Sequence, residues 1–198
     1  MAQAGRRPGQ TETKEKLLDA ARRRFADQGY DGATVRAIAA DAGVNAAMLH
    51  HFFGTKEQLF VAAMNLPVNP ADVIPDLLAG PADSIGERLV RLVLSVWNAP
   101  ESRAPFLAMI RSATTNEQAA TMMRQFLDRA LFAKVAEAAG IPKARVAAAA
   151  AQLIGVALLR YIVRVPPLAD ASDDEIVALL APGIQLHFDV SGVTVSSG

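Results

Sequence analysis

Residues 34–59 read Thr-Val-Arg-Ala-Ile-Ala-Ala-Asp-Ala-Gly-Val-Asn-Ala-Ala-Met-Leu-His-His-Phe-Phe-Gly-Thr-Lys-Glu-Gln-Leu, and the architecture of the chain follows from how this run is punctuated. Thr34 is an N-cap for a helix whose apolar positions Val35, Ile38, Ala39 and Ala42 keep helical spacing. Gly43 stands where a left-handed C-terminal cap needs a residue without Cβ. Asn45 caps a second helix, with Val44 and Leu49 spaced to meet as a hydrophobic staple. Leu49, Phe52 and Phe53 turn one face inward, which leaves Ala46, Ala47, Met48, His50 and His51 on the other. Gly54 breaks this helix, and Thr55 with Gln58 spells a capping box for a third.

Arg36 and Lys56 sit in the first turns of two of these helices, where the macrodipole favours acids instead. A cation beside free helix N-terminal amides is a phosphate site, and two such sites flanking one short capped helix fit a helix-turn-helix seated on a DNA backbone. Thr34, Arg36, His50 and Lys56 are the expected phosphate contacts. Asn45, Ala46, Ala47, Met48 and His51 are the expected base-edge positions.

Gly29-Tyr30, Thr34 to Ala39, Gly43-Val44-Asn45 and Phe53 to Leu59 together resemble the DNA-binding domain of the tetracycline-repressor (TetR) family of bacterial transcriptional regulators, over roughly residues 11–60. The resemblance implies a dimeric regulator whose larger helical body binds a small molecule and then releases its operator. It further implies that the helix begun at Thr55 links head to body and carries the signal by its tilt. Ala46 departs from the basic or polar residue common early in the recognition helix, and His50 from the frequent aromatic. Ala46 and Ala47 offer methyl groups only, so specificity is expected to lean on DNA shape and on a basic arm.

The 198 residues fit one larger domain or a small one joined to a medium one, and suffice for a real core. An apolar share of 52% with only 6% aromatics reflects Ala, Leu and Val, and favours helices: an all-α protein of about nine helices. Formal net charge is zero, but residues 1–60 hold nine Lys or Arg against seven Asp or Glu, a small excess on the DNA side. Absence of cysteine rules out disulfides and thiolate metal sites and suits a reducing cytoplasm, and residues 1–10 lack the apolar run of a secretory signal. From Val146 to Leu159 the chain is apolar except Gln152, bounded by Arg145 and Arg160, which is short of the ~20 residues of a spanning helix. No membrane role is expected.

Residues 1–10, with Arg6 and Arg7, read as a flexible basic arm able to reach a minor groove, or as an inert tail. A first helix is expected from Thr11 or Glu12 to Gln28 on a Leu18, Ala21, Phe25 stripe, stopped by Gly29, with Arg22, Arg23 and Arg24 as surface charges. The head spans 11–60 and the body 61–190, with Pro67, Pro70 and Pro75 breaking regular structure near the boundary and 191–198 a flexible tail. In the body, Ser84 is expected to cap a helix from Ile85 to Asn98 built on Leu89, Leu92, Val93 and Val96. Pro100 and Pro105 then punctuate the chain, a turn or two follows from Phe106 to Ala113, and a long helix runs from Asn116 to Ala139. An Ala-rich helix covers Lys143 to Val165, and Ser172 caps a last one that Pro182-Gly183 should kink.

Trp97, Phe106, Met109, Met122, Met123, Phe126 and Tyr161 are candidate walls for a hydrophobic or amphipathic ligand, with Arg160 and Arg111 as anchors for an acidic group. Ala147, Ala151, Gly155, Leu158 and Ile162 with Ile176, Leu180 and Ile184 are the expected homodimer face, a four-helix bundle made from the last two helices of each copy. His50, His51 and His187 have no chelating spacing, and no nucleophile elbow, phosphate loop or paired catalytic carboxylates stand out, so neither a metal nor a cofactor nor an enzyme is expected. The expected function is a cytoplasmic, operator-binding repressor. The rivals are a DNA binder without effector and a helical enzyme or carrier for a lipid-like ligand.

Overall fold

The computed structural model describes residues 8–66 and 69–189, so residues 1–7 of the expected arm, with Arg6 and Arg7, Pro67 and the tail lie outside the described residues, while residues 8–10 of that arm are not a flexible segment but the first turn of a helix. Every regular element among those residues is helical: α1 (Pro8–Gly32), α2 (Val35–Asp41), α3 (Ala46–Phe53), α4 (Lys56–Ala63), α5 (Pro70–Ala79), α6 (Ile85–Asn98), α7 (Pro100–Thr115), α8 (Glu117–Phe126), α9 (Ala133–Ala139), α10 (Lys143–Ala157), α11 (Pro166–Ala169) and α12 (Asp173–Phe188). The stretches Leu127–Phe132 and Leu158–Val163 are π-helical continuations of α8 and α10. The chain is all-α, as composition indicates.

The chain divides into two compact units, residues 1–71 with 104–128 and residues 72–103 with 129–198. In the first, α1 packs on α2, α4 and α8, and α3 on α2 and α4. The inward stripe of α1 is Leu17, Ala20, Ala21 and Phe25, with Leu18 only half-buried, so the expected register was one residue late at its start. Phe25, Tyr30, Phe60 and Phe126 form one aromatic cluster: Phe60 stacks on Phe126 at 4.4 Å and meets Phe25 edge-on at 5.0 Å. Residues 104–128 join the head because α8 lies along α1, a pairing with no local signature in the sequence.

The second unit is built on α6 and α12, with α10 across both, around Val90, Leu94, Leu153, Ile176 and Ile184. Gly86 lets α6 approach α12: a Cβ there would stand 2.7 Å from the backbone nitrogen of Gln185, whose Oε1 accepts from the Gly86 N–H at 2.9 Å. On α6 the fully buried positions are Ile85, Gly86, Val90, Leu94 and Trp97, while Leu89, Leu92, Val93 and Val96 are half-buried. Ser84 does not cap this helix; its Oγ donates to the Pro81 carbonyl and accepts from Arg88.

The prolines interrupt less than expected. Pro70 and Pro100 open helices, where a missing N–H costs nothing, and α7 runs sixteen residues through Pro105. The carbonyls that Pro105 and Pro182 leave without an i+4 donor belong to Glu101 and Ala178, both on exposed residues where water can serve them, so α12 stays continuous. With its π-helical continuation, α10 spans Lys143–Val163, long and apolar enough by length and composition to cross a membrane, which the shorter run between Arg145 and Arg160 did not indicate. Val146, Ala149 and Leu153 of this helix belong to the second unit's core and Ala157 is buried too, with 28% of its most apolar stretch buried in all.

Candidate nucleic-acid interface

The caps that sequence marks around α2, α3 and α4 all form. Thr34 Oγ1 accepts from Ala37 N at 3.2 Å, Asn45 Oδ1 from Ala47 N at 2.8 Å, and Thr55 Oγ1 from Gln58 N at 3.2 Å while Gln58 Oε1 accepts from Thr55 N at 3.0 Å. Gly43 takes φ +69°, the left-handed backbone that turns α2 into α3. Together these fix a one-residue-accurate turn between two helices of seven and eight residues.

Leu49, 0% exposed, and Phe53 anchor α3, while Phe52 is half-buried rather than fully inward. Ala47, Met48, His50 and His51 are exposed, Ala46 half-buried, and Asn45 exposed at the helix mouth. The His50 ring binds the Gly54 carbonyl at 2.7 Å, and since a carbonyl only accepts, Nδ1 carries the proton. That bond fastens the end of α3, a role beside the expected phosphate contact. Thr34 and Arg36 are exposed at the start of α2.

Lys56 opens α4. Its Nζ donates to the Asp31 carbonyl at 3.3 Å and lies 4.8 Å from the centre of the Tyr30 ring, a cation–π placement that holds the ammonium beside the helix N-terminus. Arg22 and Arg24, expected to be plain surface charges, are tied down: Arg22 Nε donates to Ala63 O at 2.9 Å, serving the end of α4, and Arg24 grips Asp41 through Nε at 2.5 Å and Nη2 at 2.7 Å. That fork holds the Asp41 carboxyl below its ordinary range and raises Arg24. Three arginines in a row are visible in sequence; the Ala63 carbonyl 41 residues after Arg22 and the Asp41 carboxylate 17 residues after Arg24 are not.

The expected ligand walls fall in both units. Phe106, Met109, Met122 and Met123, half-buried, and Phe126, 3% exposed, belong to the first, where the ring of Phe126 is taken up by the aromatic core instead of facing a pocket. Arg111 is exposed in the same unit. Trp97, Arg160 and Tyr161 belong to the second, where Trp97 and Tyr161 stack at 6.0 Å, Tyr161 OH donates to Asn98 Oδ1 at 2.7 Å, and Asn98 donates to Asp173 at 2.7 Å. Burial pushes the Tyr161 hydroxyl up. Arg160 is not poised for a ligand acid: its guanidinium donates to the Leu168 and Ala171 carbonyls and pairs with Asp173 at 3.0 Å, because the turn into α12 gathers acceptors there. Val90, Leu94, Leu153, Ile176 and neighbours line a narrow crevice beside Arg160 and Tyr161 with room for about 10 Å³, about one water.

The expected dimer residues also divide. Ile176 and Ile184 are 1% and 0% exposed, so they are core; the outward face of α12 carries Leu179 and Leu186, each 66% exposed. On α10 and its continuation Ala151 and Ile162 are exposed, Ala147, Gly155 and Leu158 half-buried, and Leu180 of α12 half-buried. Both faces of α12 are apolar, and spacing alone could not say which one the chain keeps for itself.

Residues 17–63 match the model for bacterial regulatory proteins of the tetR family, and residues 83–187, over half the chain, match the tetracyclin repressor-like C-terminal domain. The chain belongs to the TetR family. It is 29% identical over 189 residues to the HTH-type transcriptional regulator BetI of Rhizobium meliloti (strain 1021), covering 90% of this chain and 91% of that one. Over a shorter stretch of 59 residues it is 44% identical to the HTH-type transcriptional repressor AcnR of Corynebacterium glutamicum, 30% of each chain. A TetR-family regulator structure from Streptomyces coelicolor shares 36% identity over 93% of this chain and 99% of its own, with a TM-score of 0.46. This TetR-family chain is therefore a transcriptional regulator with a DNA-binding helix-turn-helix at α2–α3.

Proposed function

We propose that this regulator is a homodimeric repressor that binds a palindromic operator and leaves it when a small hydrophobic or amphipathic effector occupies the body. The observation that carries the reading is α3: a capped eight-residue helix seated on Leu49 and Phe53, with Ala47, Met48, His50 and His51 outward and cations at the starts of α2 and α4. Thr34, Arg36, His50 and Lys56 hold phosphates; Asn45, Ala46, Ala47, Met48 and His51 face bases. The repressor sense follows AcnR, a transcriptional repressor 44% identical to this chain over 59 residues.

The second copy is supported by apolar exposure. Ile154, Leu159, Ile162 and Val163 on α10 and its continuation, and Leu179 and Leu186 on α12, are between 39% and 66% exposed, and the positions of Gly155 and Gly183 are open. A two-fold axis through these helices gives two recognition helices for half-sites about one helical turn, ~34 Å, apart.

For the effector, the apolar crevice beside Tyr161 is the supporting feature. Its room of about 10 Å³, about one water, lies far under the ~300–1,000 Å³ of ordinary ligand sites, so a ligand enters only by parting the side chains. The same small volume favours a second reading, a DNA-binding regulator without an effector. Genomic footprinting of the protein tests both: protected inverted repeats upstream of a few genes support the dimeric repressor, and the products of those genes supply the ligands to try against the complex. Protection scattered without a repeat contradicts it.

A further inference from the structure

We propose that Gln125 is a positioning residue for DNA binding, acting on Lys56 through Asp31. The inference rests on the reading of Lys56 as a phosphate contact and names what puts its ammonium there. Asp31 lies in the last turn of α1, past the kink at Gly29, and is held from two directions: its N–H donates to Gln125 Oε1 of α8 at 3.0 Å, and its carbonyl accepts from Lys56 Nζ at 3.3 Å. The two bonds flank a single Cα, so the Gln125 amide restricts the backbone that presents the carbonyl to Lys56.

The surroundings keep this arrangement in register. Gly29 has φ +72°, which glycine adopts without steric cost, and the end of the Gln125 side chain lies beside it, with Oε1 2.8 Å from where a Cβ would stand. Phe126, the next residue on α8, stacks on Phe60 at 4.4 Å and meets Tyr30 edge-on at 5.7 Å, which fixes how α8 lies on α1 and α4. Gln118, two turns earlier on α8, donates to the Asp27 carbonyl at 2.9 Å. Tyr30 in turn carries the Lys56 ammonium over its ring at 4.8 Å. Tyr30 and Asp31 are thus a seat for Lys56, and Gln125 and Phe126 support that seat from α8. All of these residues lie in the first unit.

A lysine loses most of its rotamer freedom when it meets a phosphate, and an ammonium carries three donors, so it can keep the Asp31 carbonyl while it does so. Seating it beforehand strengthens the contact. A displacement of α8 that withdraws Gln125 would loosen the seat and weaken DNA binding without any change in α3.

The test uses the full chain and a random-sequence duplex of about 30 bp, because a phosphate contact is independent of sequence. Anisotropy titrations over a salt series compare wild type, Lys56→Ala, Gln125→Leu and the double variant, with Gln125→Met in place of the leucine if that one does not fold. Lys56→Ala should lower the slope of log K against log salt by about one. Gln125→Leu should weaken binding about threefold and lower the slope in the same direction, and should have no further effect once Lys56 is gone, the signature of coupled residues. If Gln125→Leu weakens binding equally with and without Lys56, or leaves it unchanged while Lys56→Ala lowers the slope, the positioning role is overturned. If Lys56→Ala itself leaves the slope unchanged, the phosphate reading fails first.

Discussion

Asp41 shows how one side chain sets the attitude of the reading head. Its carboxylate accepts two bonds from Arg24, and by that pairing α2 is pinned to α1 ahead of the turn into α3. The hydrogen bonds from Arg24 hold the Asp41 carboxyl below its ordinary value of 3.8. A carboxyl depressed by folding contributes stability that is present above its unfolded value and lost as pH falls through the lower folded one. Wild type should therefore lose melting temperature below about pH 4 more steeply than Asp41→Asn, as read by circular dichroism melts from about pH 5 to about pH 2. Parallel curves for the two proteins would show that the pair does not couple to folding. At neutral pH, where the wild-type pair is intact, the Asn variant should bind DNA more weakly because α2 is no longer forked to α1.

At the scale of an element, α3 is eight residues long and has no stability of its own; it is a helix because Asn45 caps it and Leu49 is driven into the core. Leu49→Ala should cost about 2–5 kcal/mol, since it opens a cavity under the recognition helix, and a urea titration measures it. A loss under about 1 kcal/mol would mean that α3 is held by its turns alone. The caps of α2, α3, α4 and α12 were legible because each is a local signal, a Ser, Thr or Asn and an amide two or three residues on. What was not legible depends on distant partners. Arg24 gives no hint of Asp41, nor Gln125 of Asp31, and Pro105 reads as a break until its orphaned carbonyl proves to be on an exposed residue. Arg160 looked like an anchor for a ligand because the three acceptors it serves come from a turn eight to thirteen residues later.

For the whole molecule, the choice between the two faces of α12 separates fold from assembly. Ile176 and Ile184 belong to the core of one chain, and Leu179 and Leu186 remain outside it. Replacing Leu179 and Leu186 together by Glu should convert a dimer to monomers in light scattering at micromolar concentration while each chain stays folded, because burying charges across a two-fold axis opposes association more than folding. An unchanged dimer would place the second copy elsewhere. A monomeric wild type would remove the paired recognition helices on which an inverted repeat depends.

The central claim is that the outer face of α3 enters a DNA groove, and Ala47→Glu isolates it. Position 47 is exposed and lies in the first turn of α3, where an acid favours the helix, so the variant should melt at or above the wild-type temperature. In the groove the same acid faces the negative backbone. Anisotropy on a footprinted operator duplex should show affinity reduced at least tenfold, about 1.4 kcal/mol or more, at unchanged fold. A folded Ala47→Glu protein that binds the operator as tightly as wild type would contradict the account.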